Sequence, residues 1–428
     1  MKRFTLWALL TLLSLSLWTL GNVAATTQGW SRAPIATSGD AQAFMAAATK
    51  RIQAEYKGNL SMLLIERGQV FDEFNTSIGR TVNRDTRFGV SSLSKWVTAV
   101  GVMTLVDAGN IDLDDPASTY LSRWQLPASE FDNAGVTVRR LLSHTAGLTD
   151  GLGHEGFEST DAVQPLIEHL TQAQDADKGA SGRVIVGLPP GSEWLYSGGS
   201  YNLLQLIVEE VSGQPFADYM NQAVFTPLGM TRTDYGVRDQ DTDGNIAEYF
   251  AADGTTKAYR YYTSLAATGL HTTTSDMYRF VASQWDSDEA GARILLPQTQ
   301  QLMSQTHASM FGLAVWGAGP MLFADNNAGG FIIGHGGQSP SLNTTARLNP
   351  DTGNGIVIFE TGNASLASDI ATQWTLWETG KPDIYILRNA LPVMIKRILI
   401  GYVLILLLAF IAGWQLRRQW RSLRRHVL

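Results

Sequence analysis

The sequence contains no cysteine among its 428 residues. This absence excludes disulfides, thiol nucleophiles and cysteine-ligated metal sites. Charged residues are also scarce, at 17%, whereas 44% of the residues are hydrophobic and 12 are tryptophan. Such a composition is typical of a globular chain, and the length is sufficient to bury a large core. We therefore expect the core to stabilise the fold without covalent cross-links.

Negative charge is missing from the ends of the chain, where basic residues cluster. Nine of the 32 basic residues lie there, at positions 2, 3, 396, 397, 417, 418, 421, 424 and 425. The rest of the chain holds 23 basic and 39 acidic residues, a formal charge of −16. A body with this charge repels nucleic acid and anionic membrane surfaces. We therefore predict no nucleic-acid partner.

The N-terminal segment has the layout of a secretion signal. Two basic residues, Lys2 and Arg3, precede an apolar run over residues 4–20, and small residues follow at 23–25. This pattern predicts that residues 1–25 are a signal peptide with cleavage after Ala25. An uncleaved anchor is the alternative.

A second long apolar run spans residues 398–416, which only Gln415 interrupts near its end. This length crosses a bilayer as a helix, although a buried core helix is the alternative. Five arginines follow in residues 417–428, which predicts a basic cytoplasmic tail. We expect a single-pass membrane protein whose body, residues 26–385, faces the periplasm or the extracellular space.

Strand-like segments lie near both ends of the body, and helix-like segments fill its middle. The predicted helices span 41–56, 92–108, 136–142, 203–211, 275–284, 298–304 and 366–377. The predicted strands span 60–65, 70–74, 310–316, 321–323, 331–333, 346–348 and 356–360. Early and late strands should share one antiparallel sheet with a helical lobe beside it. The fold class is therefore α/β, and more specifically α+β.

Ser92 and Lys95 lie one helical turn apart at the start of an almost wholly apolar helix. Their spacing places both side chains on the same helix face. A serine hydroxyl becomes a nucleophile when a neighbouring group takes its proton, and an amine does so if burial has lowered its pKa. The alternative is a helix-capping serine with a solvated lysine nearby.

Two glycine-containing segments are candidates for the remainder of a catalytic site. Tyr196 precedes Ser197-Gly198-Gly199, and a tyrosine relays protons when a neighbouring cation lowers its pKa. The alternative is an aromatic residue packed at a helix start. The segment His335-Gly336-Gly337-Gln338 follows a strand, where glycines admit a substrate backbone and His335 is placed to hydrogen-bond it. An ordinary glycine-rich strand end is the alternative.

Other polar patterns favour structural interpretations. Residues 141–148 have the pattern of a capped helix C-terminus, so we interpret His144 as structural. Asp239-x-Asp241-x-Asp243-Gly244 begins like a calcium loop, but the twelfth position is Phe250 where a bidentate Glu is required, which favours a solvated turn. The seven histidines show no metal-ligand spacing. We predict neither a metal nor another cofactor.

Together, these segments resemble the class C β-lactamase-related serine hydrolases, a family that includes D-alanyl-D-alanine carboxypeptidases, penicillin-binding esterases and related peptidases. The resemblance covers residues 40–380 and implies a β-lactamase/transpeptidase-like fold, in which an antiparallel sheet is flanked by helices and the site lies beside a helical lobe. It rests on Ser92-Leu93-Ser94-Lys95, residues 141–148, Tyr196-Ser197-Gly198, Tyr201-Asn202-Leu203-Leu204, residues 268–276 and His335-Gly336-Gly337.

The resemblance also implies a role for each matching residue. Ser92 would be the nucleophile that becomes acylated, and Lys95 would help to take its proton. Tyr196 would pass a proton to the leaving group and later activate water. The backbone N–H groups of Ser92 and Gln338 would form the oxyanion hole, which is usually the largest single contribution in such a reaction.

The chain departs from the β-lactamase pattern at two positions. Gly198 stands where β-lactamases have the Asn that binds a substrate carbonyl, and His335-Gly336-Gly337 stands where they have Lys-Thr-Gly. A permanent cation for a substrate carboxylate is therefore replaced by an imidazole. These departures favour ester or amide substrates without a carboxylate. As a hypothesis, turnover depends on the charge of His335, because imidazole titrates near neutrality.

We therefore interpret the chain as a membrane-tethered serine hydrolase that cleaves a small-molecule or peptide substrate through an acyl-enzyme; D-amino-acid peptides and β-lactams remain candidate substrates. The alternative is a non-catalytic, penicillin-binding-protein-like sensor of the cell envelope. Gly198 favours the sensor, whereas the combination of Ser92, Lys95 and Tyr196 favours the enzyme.

Overall fold

The computed structural model describes residues 2–30, 32–151, 154–236, 244–285 and 293–425. The chain divides into two compact units, one formed by Ile35–Thr379 and the other by Met1–Pro34 with Gly380–Leu428. Three acidic residues of the candidate calcium loop, Asp239, Asp241 and Asp243, lie outside the described residues.

The smaller unit contains two helices, α1 (Lys2–Thr27) and α12 (Ile384–Arg425), with labels numbered along the whole chain. Both are long and apolar enough to cross a membrane, at Thr5–Thr27 and Ile384–Arg418. The span expected at 398–416 thus lies within a longer helix. Ala25, the expected cleavage point, lies inside α1, and cleavage there stays a prediction.

The larger unit, which we call the body, contains the remaining elements. Its helices are α2 (Ala41–Glu55), α3 (Ser94–Asp107), α4 (Val138–Leu142), α5 (Leu166–Thr171), α6 (Gly198–Ser212), α7 (Phe216–Met220), α8 (Leu265–Thr268), α9 (Thr274–Ser283), α10 (Pro297–Met303) and α11 (Leu366–Thr379). Its strands are β1 (Leu60–Glu66), β2 (Gln69–Thr76), β3 (Phe88–Gly89), β4 (Asp234–Tyr235), β5 (Tyr249–Phe250), β6 (Thr256–Lys257), β7 (Leu270–Thr272), β8 (Ala308–Met310), β9 (Leu313–Trp316), β10 (Met321–Asp325), β11 (Phe331–Ser339), β12 (Leu342–Leu348) and β13 (Gly355–Thr361).

Early and late strands share one antiparallel sheet, which confirms the predicted architecture. Its eight strands run in the order β2-β1-β13-β12-β11-β10-β9-β8. All seven residues of β13 are buried, because the strand is central and both of its faces are covered. Smaller sheets join β3 to β7 and β4, and β5 to β6.

Helix α3 is the central helix of the body. Eleven of its 14 residues are buried, which explains why its sequence is apolar on nearly every face. Trp96 packs edge-on against Phe280 of α9, with ring centroids 5.0 Å apart. The first turn of the helix, which carries Lys95, is therefore held in place by a packed core.

Three local predictions were wrong in detail. Residues 310–316 form a hairpin, β8 and β9, because Phe311 and Gly312 adopt positive φ angles of 52° and 79° at its tip. Residues 334–338 continue β11 instead of following it, since they pair with β12. Ser92 lies in a single 3-10 turn, Ser91–Leu93, that precedes α3.

The two ends of the body are close together. The indole Nε1 of Trp377, in α11, donates a hydrogen bond of 2.7 Å to the carbonyl of Thr37. The same indole packs against Phe44 of α2 at 5.1 Å between ring centroids. The chain thus enters and leaves the body at one place.

Candidate active site

The candidate nucleophile Ser92 lies on the sharp turn that joins β3 to α3. Ser91, directly before it, has a left-handed backbone with φ of 48°, a conformation uncommon for any residue other than glycine. The Ser91 hydroxyl donates a hydrogen bond of 3.2 Å to the carbonyl of Gln338 on β11. This turn therefore fixes Ser92 next to the strand that carries the His-Gly-Gly segment.

Lys95 is buried, with 2% of its surface exposed, and it points at Ser92. Its Nζ donates hydrogen bonds to Oγ of Ser92 at 3.2 Å and to the carbonyl of Ala267 at 2.8 Å. Burial lowers the pKa of Lys95 to about 7, against the opposing effect of the Asp150 carboxylate. Near neutral pH a large fraction of the amine is therefore unprotonated and able to accept the proton of Ser92.

Tyr196 lies beside the same amine. Nζ of Lys95 is 4.9 Å from the centroid of the Tyr196 ring and 5.6 Å from that of Tyr201. The structure therefore brings Ser92, Lys95 and Tyr196 together from two distant parts of the chain. The amine thus lies within hydrogen-bonding distance of the Ser92 hydroxyl and close to the Tyr196 ring.

His144 supports the segment that carries Tyr196. It follows α4 with a φ of 57°, and its Nδ1 accepts a hydrogen bond of 3.1 Å from the N–H of Ser197. Its ring also packs on Tyr196 at 4.4 Å between centroids. Burial, together with the charge of Lys95, holds the pKa of His144 well below its ordinary value, so the ring is neutral and free to accept. The structural interpretation of His144 agrees with this contact.

Asp150 holds the start of α6, although no sequence pattern singled it out. Its carboxylate accepts hydrogen bonds from Oγ of Ser197 at 2.6 Å and from the N–H of Gly199 at 2.8 Å. Burial raises the pKa of Asp150, while these donors oppose the change. A carboxylate at a helix N-terminus is stabilised by the helix dipole and by the unpaired N–H groups.

His154 fills the space beside Gly198, which is the first residue of α6. A Cβ atom at position 198 would lie 2.7 Å from Nε2 of His154. The side chain of an asparagine therefore does not fit at this position without displacing the imidazole. The glycine that replaces the β-lactamase asparagine at position 198 is thus linked to His154. His154 lies 44 positions earlier, and no sequence pattern singled it out.

A cluster of His154, His169 and Asp175 has the side-chain types that bind metals. Nε2 of His169 lies 2.6 Å from Oδ1 of Asp175, and Nδ1 of His154 lies 3.6 Å from the same oxygen. The first distance is that of a short charge-assisted hydrogen bond, whereas two ligands of one zinc at about 2.1 Å each lie about 3.4 Å apart in a tetrahedral site. His169 and Asp175 are therefore joined by a hydrogen bond, whereas His154 lies beside them at a longer distance.

The segment His335-Gly336-Gly337-Gln338 lies on β11, alongside the nucleophile turn. A Cβ atom on Gly337 would overlap the carbonyl oxygen of Val90, which also accepts a hydrogen bond of 2.8 Å from Oγ1 of Thr344. Position 337 must therefore be glycine for the strand to approach this closely. Gln338 is exposed, and its Nε2 donates a hydrogen bond to the carbonyl of Ala364 at 2.8 Å.

His335 is buried against the site, with its Nδ1 2.6 Å from the carbonyl oxygen of Gly336. Burial lowers the pKa of His335 to about 3, and the charge of Lys95 acts in the same direction. The imidazole is therefore neutral throughout the physiological range. The hypothesis that its charge changes near neutrality is wrong, because a desolvated ring beside an amine cannot readily hold a proton.

Comparisons with known proteins agree with this geometry. The Beta-lactamase family model matches residues 49–381. Penicillin-binding protein 4* of Bacillus subtilis (strain 168) is 34% identical over 36% of this chain and 32% of its own length. Esterase EstB of Burkholderia gladioli is 32% identical over 36% of this chain and 39% of its own length. The chain thus matches only about a third of the length of these two relatives.

The fold is also found among solved structures. The octameric penicillin-binding protein homologue from Pyrococcus abyssi superimposes with a TM-score of 0.64 and 22% sequence identity. The match covers 80% of this chain and 78% of that one. Because the family model spans most of the body and the fold agrees, the chain belongs to the beta-lactamase family.

Proposed function

We propose that this protein is a serine hydrolase that cleaves an ester or amide through an acyl-enzyme on Ser92. The observation that carries the proposal is the buried amine of Lys95, whose Nζ lies 3.2 Å from Oγ of Ser92. With its pKa lowered to about 7, Lys95 accepts the hydroxyl proton as Oγ attacks the substrate carbonyl. Tyr196 donates a proton to the leaving group and afterwards takes one from the water that releases the acyl group.

The developing oxyanion is stabilised in this mechanism by two backbone N–H groups, those of Ser92 and Gln338. The hydrogen bond from Ser91 to the Gln338 carbonyl supports this assignment, because it holds the turn and the strand in register. Substrate would lie along the half of β11 that contains Gly336 and Gly337, which runs beside the nucleophile turn.

Substrates without a carboxylate are favoured. His335 is neutral above a pKa of about 3, so no permanent cation stands at the Lys-Thr-Gly position of β-lactamases. The space beside Gly198 is filled by His154 and does not hold a carbonyl-binding amide. A relative named as an esterase is consistent with this preference. We propose esters and amides of uncharged acyl groups ahead of β-lactams and carboxypeptidase substrates.

The location proposed for this activity is the outer face of a membrane. Two apolar helices of spanning length and the arginine-rich C-terminus support a tethered protein whose termini are cytoplasmic. The body, with its excess of acidic residues, would then face the periplasm or the extracellular space.

A fluorophosphonate probe tests the chemistry, because it labels only an activated serine. We expect labelling of the wild-type protein and none of Ser92→Ala. Ser309→Ala serves as the control, since Ser309 is exposed on β8, outside the candidate site, and its loss should leave labelling intact. Absence of labelling in the wild type would instead favour a non-catalytic sensor. Hydrolysis of p-nitrophenyl esters, D-amino-acid amides and a chromogenic cephalosporin would then rank the substrates.

A further inference from the structure

We propose that α1 is retained in the mature protein and pairs permanently with α12 as a two-helix anchor. This inference goes beyond the proposed hydrolase activity and concerns only the smaller unit. The two helices run antiparallel. Nε1 of Trp7 donates a hydrogen bond of 2.9 Å to the carbonyl of Ala409, and Nε1 of Trp18 donates one of 3.3 Å to the carbonyl of Arg397.

The strongest support is a match between large and small residues. Helix α1 contains two tryptophans, at positions 7 and 18, and α12 contains two glycines, at positions 413 and 401. Each tryptophan lies on one glycine. A Cβ atom on Gly401 would clash with the Trp18 indole, and one on Gly413 would lie 3.2 Å from the Trp7 ring.

A polar contact adds to this match. Oγ1 of Thr19 and the hydroxyl of Tyr402 lie 2.6 Å apart, within hydrogen-bonding distance. In a bilayer, apolar burial does not drive helices together, so association depends on close packing at small residues and on such hydrogen bonds. The α1–α12 contact uses both.

A segment that serves only for export has no need of this complementarity. A secretion signal requires a basic start, an apolar run and small residues at the cleavage site, and it is then removed. The fit of two tryptophans of α1 to two glycines of α12 instead indicates that the two helices stay paired. With α1 retained, the basic residues at both termini lie on the same side of the membrane, as their charge favours.

The first test measures whether α1 is present. The full-length protein is purified from membranes, and its intact mass and its N-terminal peptides are determined. We expect a mass that includes residues 1–25 and peptides from this segment. A mature protein that begins after Ala25 would overturn the proposal, whatever the outcome of serine labelling.

The second test measures the pairing itself and exploits the absence of cysteine. Thr19→Cys/Tyr402→Cys is treated in membranes with a short bifunctional thiol reagent, and the body is then cut by protease. We expect the two helix fragments to remain linked. The control is Leu17→Cys/Tyr402→Cys, because Leu17 is 60% exposed and lies about 200° around the helix from Thr19. Equal linkage in both pairs, or linkage in neither, would contradict the pairing.

A third measurement tests the fit of Trp18 to Gly401. Gly401→Leu in the Thr19→Cys/Tyr402→Cys background should lower the cross-linking yield several-fold. Gly21→Leu is the matched control, since no atom lies within 4 Å of a Cβ at position 21. If Gly401→Leu cross-links as well as Gly21→Leu, the glycine is not needed for contact and the inference fails.

Discussion

Nε2 of His154 lies 2.7 Å from the point that a Cβ atom on Gly198 would occupy. A side chain at position 198 therefore requires the imidazole to move. We expect Gly198→Asn to destabilise the body by about 1–3 kcal/mol, which is typical of overpacking, and to lower activity. The double variant Gly198→Asn/His154→Ala should recover most of the stability, because it removes the competing ring.

The control for this experiment is Gly213→Asn at the other end of α6. Position 213 has a φ of 68° that asparagine tolerates, and no atom lies within 4 Å of its Cβ position. Thermal melting of the wild type and these three variants measures the effect. A Gly198→Asn variant as stable as Gly213→Asn would refute the steric explanation.

The rate of serine labelling should rise with pH through about 7. Lys95 acts as a base only when neutral, and its pKa is about 7, so the active fraction grows as pH increases through that value. Lys95→Met should lower the labelling rate at least 100-fold, within the range of about 10² to 10⁴ expected for general-base catalysis.

His335→Gln separates this explanation from titration of the imidazole. His335 is already neutral above its pKa of about 3. The labelling rate of the variant should therefore still rise with pH near 7, even if the rate itself is lower. Second-order labelling constants between about pH 5 and 9, the range that brackets imidazole and shifted-lysine titration, provide the measurement. Loss of this rise in His335→Gln would assign it to the histidine.

Asp150→Asn should shift the rise in serine-labelling rate to lower pH. The carboxylate is the charged group that raises the pKa of Lys95, so its removal leaves burial unopposed. The variant also loses part of the hydrogen bonding to Ser197 and Gly199, which should cost about 1–3 kcal/mol of stability. Asp175→Asn is the control, because Asp175 does not contribute to the pKa of Lys95. Equal shifts in both variants would contradict this assignment.

The contribution of Glu360 to the stability of the body should fall as pH rises from about 4.5 to 8. Burial raises the pKa of Glu360 on β13 to about 8, and the charges of Asp369 and Glu55 act in the same direction. In that window the folded state holds a proton that the unfolded state releases, so folding becomes less favourable as pH increases. Glu360→Gln stays neutral and should melt at a higher temperature than wild type at pH 8 and above.

Melting curves across this window measure the effect of Glu360. Glu158→Gln is the control, since the side chain of Glu158 is 85% exposed. We expect the wild type and Glu158→Gln to share one pH dependence, and the stability of Glu360→Gln relative to both to increase as pH rises through the window. Parallel curves for all three proteins would show that Glu360 does not bind the proton.

Periodicity predicted the regular parts of the fold because local sequence determines them. Strand β1 and helix α9 were predicted to within one residue at each end, since their apolar residues recur with the period of their structure. The second half of β11 was missed as strand because its glycines have low strand propensity. Pairing with β12 nevertheless makes residues 335–339 extended.

The proximity of Ser92 and Lys95 was predictable because their spacing of three residues places both side chains on the same side of a helical turn. Tyr196 and the His-Gly-Gly segment were candidates from their own residues, each with a structural alternative, and the family resemblance then gave them roles. Their contacts with Lys95 are long-range, so no local pattern could place them in one site. Asp150 and His154 were missed because they lie in a region without a periodic pattern. Only the folded chain shows that they contact Ser197 and Gly198.

The hydrogen bond between Trp377 and Thr37 has a consequence for the membrane-tethered hydrolase proposed above. It brings both chain ends of the body to one point, from which one leads to α1 and the other to α12. With both helices in place, a protease that cuts either connection leaves the hydrolase attached through the other. Shedding into the medium would then require two cleavages.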